Sequence, residues 1–365
     1  QSICRHIWLQ INKMQLNVLS YNAMLYLAPP LRMQGVHERS LRLVDALFSS
    51  LTHIPDIMCF QEMSCYTENI TSQLPLHPYH STPSRANIFS RNMKFKSSGL
   101  MIVSRYPIIF QREHVFTGRT YKYETLAAKS VMYCCVLLPS NQHIHIFNTH
   151  LQAWSSPTAS AVRESQTKQI TKFMKDMNIP THEVVLLAGD FNVDAFECPG
   201  FYTLMAKSSQ MEYCSKPCSK QIFSFDNSTN SLVGVDDPHE YVHKKNASSS
   251  TAISAGLPPA KLIDMILCKN LTSYTFHVDR VKASCHFWCF INLTTRVRTR
   301  DISDHYPVTM RCTMPKYTSI PLEISEHVDQ NSTDILVVLL FTVINIACLL
   351  MACTTRYIWR RYKKK

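Results

Sequence analysis

The chain is 365 residues long, 45% hydrophobic and carries a net charge of +12, with 14 cysteines and only 7 glycines. That length holds one large or two modest domains, and so few glycines leave no Gly-rich nucleotide cradle. Six of the positive charges, with no acids among them, fall in Arg356, Arg360, Arg361 and Lys363 to Lys365, so the remainder (12 − 6 = +6) is a mild excess that suits an anionic substrate or a membrane surface and excludes a dedicated nucleic-acid stripe.

Leu16-Asn-Val-Leu-Ser-Tyr-Asn22 alternates apolar and polar residues and predicts a strand whose last member, Asn22, emerges at its end. From about Glu38 to Leu51 the apolar residues Leu41, Leu43, Val44, Leu47, Phe48 and Leu51 recur at helical spacing, and Pro55 closes the segment. Asp56-Ile-Met-Cys-Phe-Gln-Glu62 is a second strand-like run with a carboxylate at its end. The order strand, helix, strand, with polar residues at strand ends, is that of a layered α/β fold.

The polar stretch from Tyr66 to Lys96 predicts loop around short elements, and Ser98 to Pro107 a strand that Pro107 ends. Leu126 to Leu138 and His143 to His150 predict two strands joined by a hairpin at Pro139-Ser-Asn-Gln142. A helix is expected from about Ser160 to Met177. Val184-Val-Leu-Leu-Ala-Gly-Asp-Phe-Asn192 then reads as a buried strand ending in a glycine turn that presents Asp190 and Asn192 together. Residues 202–256 are Ser-, Asn- and Lys-rich, which predicts long loops over the site. Lys261 to Leu267 is again strand-like around Asp264, and Asp304 and His305 immediately precede a final strand ending near Met310.

Beyond a polar stalk at 313–334, Ile335 to Cys353 is nineteen residues without a charge, close to the roughly 20 a helix needs to cross a bilayer. We read it as a single membrane span with the basic tail, 354–365, on the cytoplasmic side. Residues 1–334 are then expected outside or in a lumen. Six N-x-Ser/Thr sequons (Asn69, Asn227, Asn246, Asn270, Asn292, Asn331) and the cysteine pairs Cys214/Cys218 and Cys285/Cys289, spaced for disulfide or metal, agree with that side. No signal peptide is visible in the sequence. Either one precedes Gln1, or the protein is tail-anchored with a cytosolic domain.

Singly, these polar residues have ordinary explanations: a helix cap at Asn22, a surface acid at Glu62, satisfied core histidines at His150 and His305. Together, six strand-end segments deliver in order Asn22, Glu62, His150, Asp190 with Asn192, Asp264, and Asp304 with His305. Ser20-Tyr-Asn22, Gln61-Glu62, Gly189-Asp-Phe-Asn192, Ile263-Asp264 and Ser303-Asp-His-Tyr-Pro-Val308 resemble, in the same order, the motifs of the endonuclease/exonuclease/phosphatase superfamily. The resemblance implies residues 16–312 as a four-layered α/β sandwich of the DNase I type that hydrolyses phosphate esters with Mg2+, for which Mn2+ or Co2+ could stand in.

Thr149-His-Leu-Gln-Ala153 and Ser98-Gly-Leu-Met-Ile-Val-Ser104 look most like neutral sphingomyelinases. That likeness implies sphingomyelin as a membrane-lipid substrate, cleaved to ceramide and phosphocholine, with neither nucleic acid nor an obligate protein partner. Bacterial members of that group carry an aromatic hairpin that dips into the membrane. Cys285-His-Phe-Trp-Cys-Phe290 occupies the comparable interval, so Phe287, Trp288 and Phe290 are candidate membrane contacts, and a buried hairpin is the other reading.

A phosphodiester repels its nucleophile, so the chemistry needs charge neutralisation and an activated water. Glu62 is the expected principal Mg2+ ligand, with Asn22 alongside, because that ion prefers hard oxygens; Asp304, by the resemblance, lies next to it. His305 is the expected general base, oriented by Asp264. Asp190 and Asn192 would position the water or the phosphoryl oxygens, and His150 would stabilise the pentacovalent phosphate or help the alkoxide leave. A nuclease of the same fold, and a silent membrane-anchored binding protein, are the competing readings.

Overall fold

Strand β1 (Gln15–Asn22) is buried over almost its whole length, and its two faces go to different places. Leu16 and Val18 join one apolar cluster and Leu19 and Tyr21 another. That split follows from the two-residue period of a strand buried on both sides. In the computed structural model the described residues are 14–26, 35–81, 97–118, 120–213, 223–226, 228–233, 260–290 and 296–315. They lie in one compact unit, 1–316; the second unit, 317–365, which contains the expected span at 335–353, the basic tail and nearly all of the stalk, falls outside them. No helix among the described residues is long and apolar enough to cross a membrane.

The first sheet runs β11 (Ser273–Val278), β14 (Val308–Thr313), β1, β2 (Ile57–Gln61), β4 (Met101–Ser104) and β3 (Tyr79–His80). The second runs β5 (Ile108–Val115), β6 (Ser130–Leu137), β7 (His143–His150), β8 (Val184–Asp190), β10 (Asp264–Lys269) and β9 (Glu212–Tyr213). Leu16, Val18, Ile57, Cys59 and Ile102 of the first sheet pack on Val131, Ile144, Leu186 and Ile266 of the second in one core. On the far side of the first sheet, Leu43, Val44 and Leu47 of helix α1 (Val36–Ser50) cover Leu19, Met58 and Phe60. Outside the second sheet, Ile170 and Phe173 of α3 (Pro157–Asp176) and Tyr202 and Met205 of α4 (Pro199–Ser209) complete the core. Between α1 and β3 lies a short helix, α2 (Thr67–Thr71). The result is a mixed α/β sandwich of two sheets between helices.

Two polar ties cross the sandwich. Gln61 Nε2 donates to Asn148 Oδ1 at 2.7 Å, and Asn148 Nδ2 donates to the Phe60 carbonyl at 2.8 Å. Buried amides hold their place only when paired, so this contact between β2 and β7 fixes the offset of the two sheets beneath their polar ends.

Some expectations are corrected. Part of the stretch expected as loop from residue 202 is helical: α4 starts with Pro199 at its first turn and buries Tyr202, Met205 and Ala206 at helical spacing within a polar composition. Strand β5 went unread because it is an edge strand, largely exposed, in which Ile108-Ile-Phe110 gives way at once to Gln111-Arg-Glu-His114.

The aromatic hairpin is β12 (Lys282–Phe290) paired with β13 (Arg296–Asp301). Phe287 is not a membrane contact. It is buried with the apolar residues of α1, and the Arg42 guanidinium sits 5.2 Å from its ring centroid. The side chains of Trp288 and Phe290 lie outside the described residues. Cys285 carries a free thiol. Its fourth neighbour along one extended strand, Cys289, is roughly 13 Å away, beyond the ~7 Å a disulfide spans. The pair Cys214/Cys218 falls outside the described residues.

Candidate active site

Sheet register carries the polar strand ends into one place. β7 and β8 are parallel with His150 opposite Asp190, and antiparallel β10 sets Asp264 opposite Asp190, so the three form one row across three adjacent strands. Gly189 permits that row: a Cβ there would lie 2.1 Å from the Thr149 carbonyl oxygen. In the first sheet β1 and β2 are parallel with Asn22 opposite Gln61, and antiparallel β14 brings the residues before Val308 beside the end of β1. Ser303 Oγ donates to the Asn22 carbonyl at 2.6 Å and accepts the His305 amide at 3.2 Å, which fastens the Asp304-His305 turn there. Glu62 leaves β2 in the left-handed region, φ 58°, against Gly99, where a Cβ would come within 3.1 Å of the Glu62 Cα.

The facing rows meet. Asn22 Nδ2 donates to Asp190 Oδ2 at 3.0 Å across the sandwich, while Asn22 Oδ1 accepts the Met24 amide at 3.1 Å. His305 Nδ1 lies 2.7 Å from Asp264 Oδ2, and its Nε2 lies 3.7 Å from Asp190 Oδ2. His150 Nε2 is 3.5 Å from the same Asp190 oxygen, and its Nδ1 is 3.9 Å from Glu62 Oε1. Asn192, in the left-handed region like Glu62, donates from its backbone to Asp190 Oδ1 at 2.9 Å and from Nδ2 to the Leu151 carbonyl at 3.1 Å. Phe225 stands edge-on to the His305 ring at 5.3 Å. The eight candidate residues therefore gather at one end of the sandwich.

Electrostatics divides this group into a proton-handling part and a cation-seeking part. Burial alone pulls His305 down, yet the carboxylates of Asp264, Asp304 and Asp190 push it well above the ordinary histidine range. Burial, the Lys129 ammonium and His305 drive His150 well below that range, so it stands neutral. Burial, then the nearby Asp304 carboxylate, pushes Glu62 up to about 8, against the pull of His305 and Lys129. A half-buried carboxyl whose proton affinity is raised by burial and by a neighbouring carboxylate marks a place that a cation would relieve.

The tightest group of possible ligand atoms is Asp190, Asp264 and His305, all within 4.8 Å of one another. Its compactness is that of a histidine hydrogen-bonded to Asp264 with its other nitrogen 3.7 Å from Asp190. Glu62 and Asp304, with Asn22 beside them, offer the hard oxygens and the solvent access that a Mg2+ ion keeping its waters requires.

Lys129 and Glu124 escaped the sequence reading. The Lys129 Nζ is buried, 2.6 Å from Glu124 Oε1 and bonded to the Leu151 carbonyl, the oxygen that Asn192 also binds. Glu124 in turn accepts the Ala153 amide at 2.8 Å and bonds the Gln152 amide group. The available signal was a lysine at the threshold of a continuous apolar run, Val131 to Leu138, where a charge survives burial only if paired.

With the geometry in hand, comparisons place the chain among known proteins. The model of the Endonuclease/Exonuclease/phosphatase family matches residues 14–305. A sphingomyelinase C of Bacillus cereus is 28% identical over 227 residues, 60% of this chain and 62% of the relative. One from Listeria ivanovii is 24% identical over 60% of each chain. The match thus spans about three-fifths of the length of these curated relatives. Among solved structures, the beta toxin of Staphylococcus aureus, crystallised with bound magnesium ions, has a TM-score of 0.64 at 20% identity, covering 81% of this chain and 99% of its own. Sphingomyelinase C from Streptomyces griseocarneus has a TM-score of 0.61 at 22% identity, covering 82% and 99%. At such identities the structural likeness is one of fold.

Proposed function

From the premise that the chain belongs to the Endonuclease/Exonuclease/phosphatase family, we propose that it is a Mg2+-dependent phosphodiesterase that hydrolyses sphingomyelin, or a related choline phospholipid, to ceramide and phosphocholine at a membrane surface. The carrying observation is a histidine whose one nitrogen is held 2.7 Å from a buried aspartate while the other faces the acids and imidazole of a shared pocket.

In this reading Glu62 and Asp304 hold the divalent ion, with Asn22 alongside. The ion, when bound, neutralises phosphate charge and makes the ester easier to attack. Asp264 holds a proton on His305 Nδ1. The neighbouring carboxylates raise this ring's proton affinity, and a divalent charge held by Glu62 and Asp304 would offset them and favour the neutral form, in which Nε2 accepts a proton from water. Asp190, held by Asn22 and by the Asn192 backbone, is placed to orient that water. His150 is neutral and retains one N–H, which donates to a phosphoryl oxygen whose charge grows in the transition state. Lys129, ion-paired with Glu124, braces this region through the Leu151 carbonyl.

The uncharged run 335–353 and the basic tail support a single C-terminal anchor, with the catalytic unit extracellular or lumenal and the tail cytoplasmic. A glycosidase shift on the expressed protein tests that side.

The test of function is a side-by-side assay with sphingomyelin and phosphatidylcholine in mixed micelles and with DNA, each with Mg2+ and with chelator. Phosphocholine release from sphingomyelin, abolished by chelator and by His305→Ala, is the expected result. Release of nucleotides without phosphocholine would replace this reading with a nuclease.

A further inference from the structure

In the loop between β7 and α3 a tryptophan already carries a cation. The Lys122 ammonium lies 3.9 Å from the centroid of the Trp154 ring and 5.6 Å from that of Tyr121. Trp154 is 42% exposed, so its ring is open to a ligand. It follows Leu151, whose carbonyl Lys129 and Asn192 both grip, by three residues and His150 by four.

Its position is built. Trp154 has φ 79°, a left-handed conformation that a bulky residue adopts only under constraint. The constraint is Arg163, whose Nη1 donates to the Trp154 and Gln152 carbonyls, each at 2.8 Å. Tyr121 is docked beside it by a reciprocal pair: its amide donates to Gln152 Oε1 at 2.9 Å, and Gln152 Nε2 donates to its carbonyl at 3.2 Å. The same Gln152 amide group bonds Glu124, the partner of Lys129. A continuous set of hydrogen bonds thus ties the aromatic pair to the buried lysine beside the phosphate-handling groups.

An aromatic face attracts cations through its quadrupole, and a large, weakly hydrated quaternary ammonium is better suited to it than a primary ammonium, which surrenders strong hydration. We infer that Trp154, with Tyr121, is the platform for the trimethylammonium end of a phosphocholine diester, and that Lys122 is the placeholder this group displaces. The phosphate would lie toward the His150 N–H and the ion-paired Lys129, so the anionic and cationic ends of one zwitterion meet hydrogen-bond donors and an aromatic face respectively. This assignment rests on the choline-phosphodiesterase reading above and adds to it the feature that selects the headgroup.

The experiment uses the full chain with Mg2+ and two soluble chromogenic diesters, p-nitrophenyl phosphorylcholine and a cation-free p-nitrophenyl alkyl phosphate, with sphingomyelin micelles as a third arm. Trp154→Ala should lower the ratio of kcat/KM between the choline and the cation-free ester about 5- to 30-fold, through KM more than kcat, and Trp154→Phe should restore most of it. The sphingomyelin arm should fall in parallel if the platform serves the lipid as well as the soluble headgroup; a fall confined to the soluble ester would remove the lipid from the assignment. Equal losses on both soluble esters, or none, would overturn the platform and leave Trp154 a support for the loop.

A second measurement stands apart from turnover. Tetramethylammonium and phosphocholine should quench tryptophan fluorescence in the wild type and not in Trp154→Phe, and Lys122→Ala should tighten phosphocholine several-fold. Unchanged quenching in Trp154→Phe overturns the assignment. If the wild type cleaves no choline ester at all, the proposed function fails, and the quenching titration still decides whether the platform binds a quaternary ammonium.

Discussion

Asp264 and His305, 41 residues apart in sequence, are joined through Oδ2 and Nδ1 at 2.7 Å in a fully buried contact, and the other oxygen of Asp264 has no hydrogen-bond partner. Asp264→Asn keeps the shape but removes the charge and offers Nδ1 the wrong partner for its proton. Phosphodiesterase kcat should fall about 10²- to 10⁴-fold. Because Asp264 is among the carboxylates that hold His305 high, the His305 titration should also move to lower pH, seen by NMR of the ring Cε1–H. An unmoved titration would place the charge control elsewhere.

Glu62 should make metal affinity and stability depend on pH in opposite senses. In the fold it is pushed up to about 8, above the ordinary 4.5 of a glutamate. The metal-free fold therefore keeps a proton the unfolded chain has lost, and this contribution to stability fades as pH rises from about 4.5 through about 8. A divalent ion needs the ionised carboxylate and expels that proton. The gain in Tm on adding Mg2+ should thus grow from about pH 6 to about pH 8, and Glu62→Gln should remove most of it. A gain of the same size at both pH values would exclude Glu62 as the ligand.

Lys129 and Glu124 form a largely buried ion pair, 2.6 Å apart with side chains 5% and 16% exposed. Removing one partner strands the other, at a cost of about 3–5 kcal/mol. Chemical denaturation should show Lys129→Met losing about that much, and Glu124→Gln with Lys129→Met losing clearly less than the sum of the single variants. Strict additivity would mean the pair is not coupled.

Phe287→Ala should behave as a core truncation. The ring lies in the cluster under α1, so the loss should be about 3–5 kcal/mol in unfolding. Vesicle binding by the folded variant should match the wild type. Selective loss of vesicle affinity with unchanged stability would return this residue to the membrane surface.

The legible parts of the sequence were those in which local pattern and burial agree. Alternation in Leu16 to Asn22 and the apolar run before Asp190 announced strands, both of which lie buried on two faces, and the spacing of Leu43, Val44 and Leu47 announced the covering helix. Edge strand β5 and helix α4 were illegible because an edge strand needs no apolar run and a short helix is held by packing more than by propensity.

The sequence by itself determined which residue types stand at strand ends, and in what order, because a strand's period and its terminating glycine or turn are local properties. Only the tertiary structure decided that those ends face one another: parallel pairing of β7 with β8 and antiparallel return of β10 and β14 convert separations of tens to hundreds of residues into contacts of 3–4 Å. It also decided which partner each charge keeps. Phe287 beneath Arg42 and Lys122 over Trp154 arise from packing between segments distant in the chain, and Lys129 keeps Glu124, only five residues away, because both are buried against the Leu151 to Ala153 backbone; the dielectric surroundings and the shape of the neighbour set the energy.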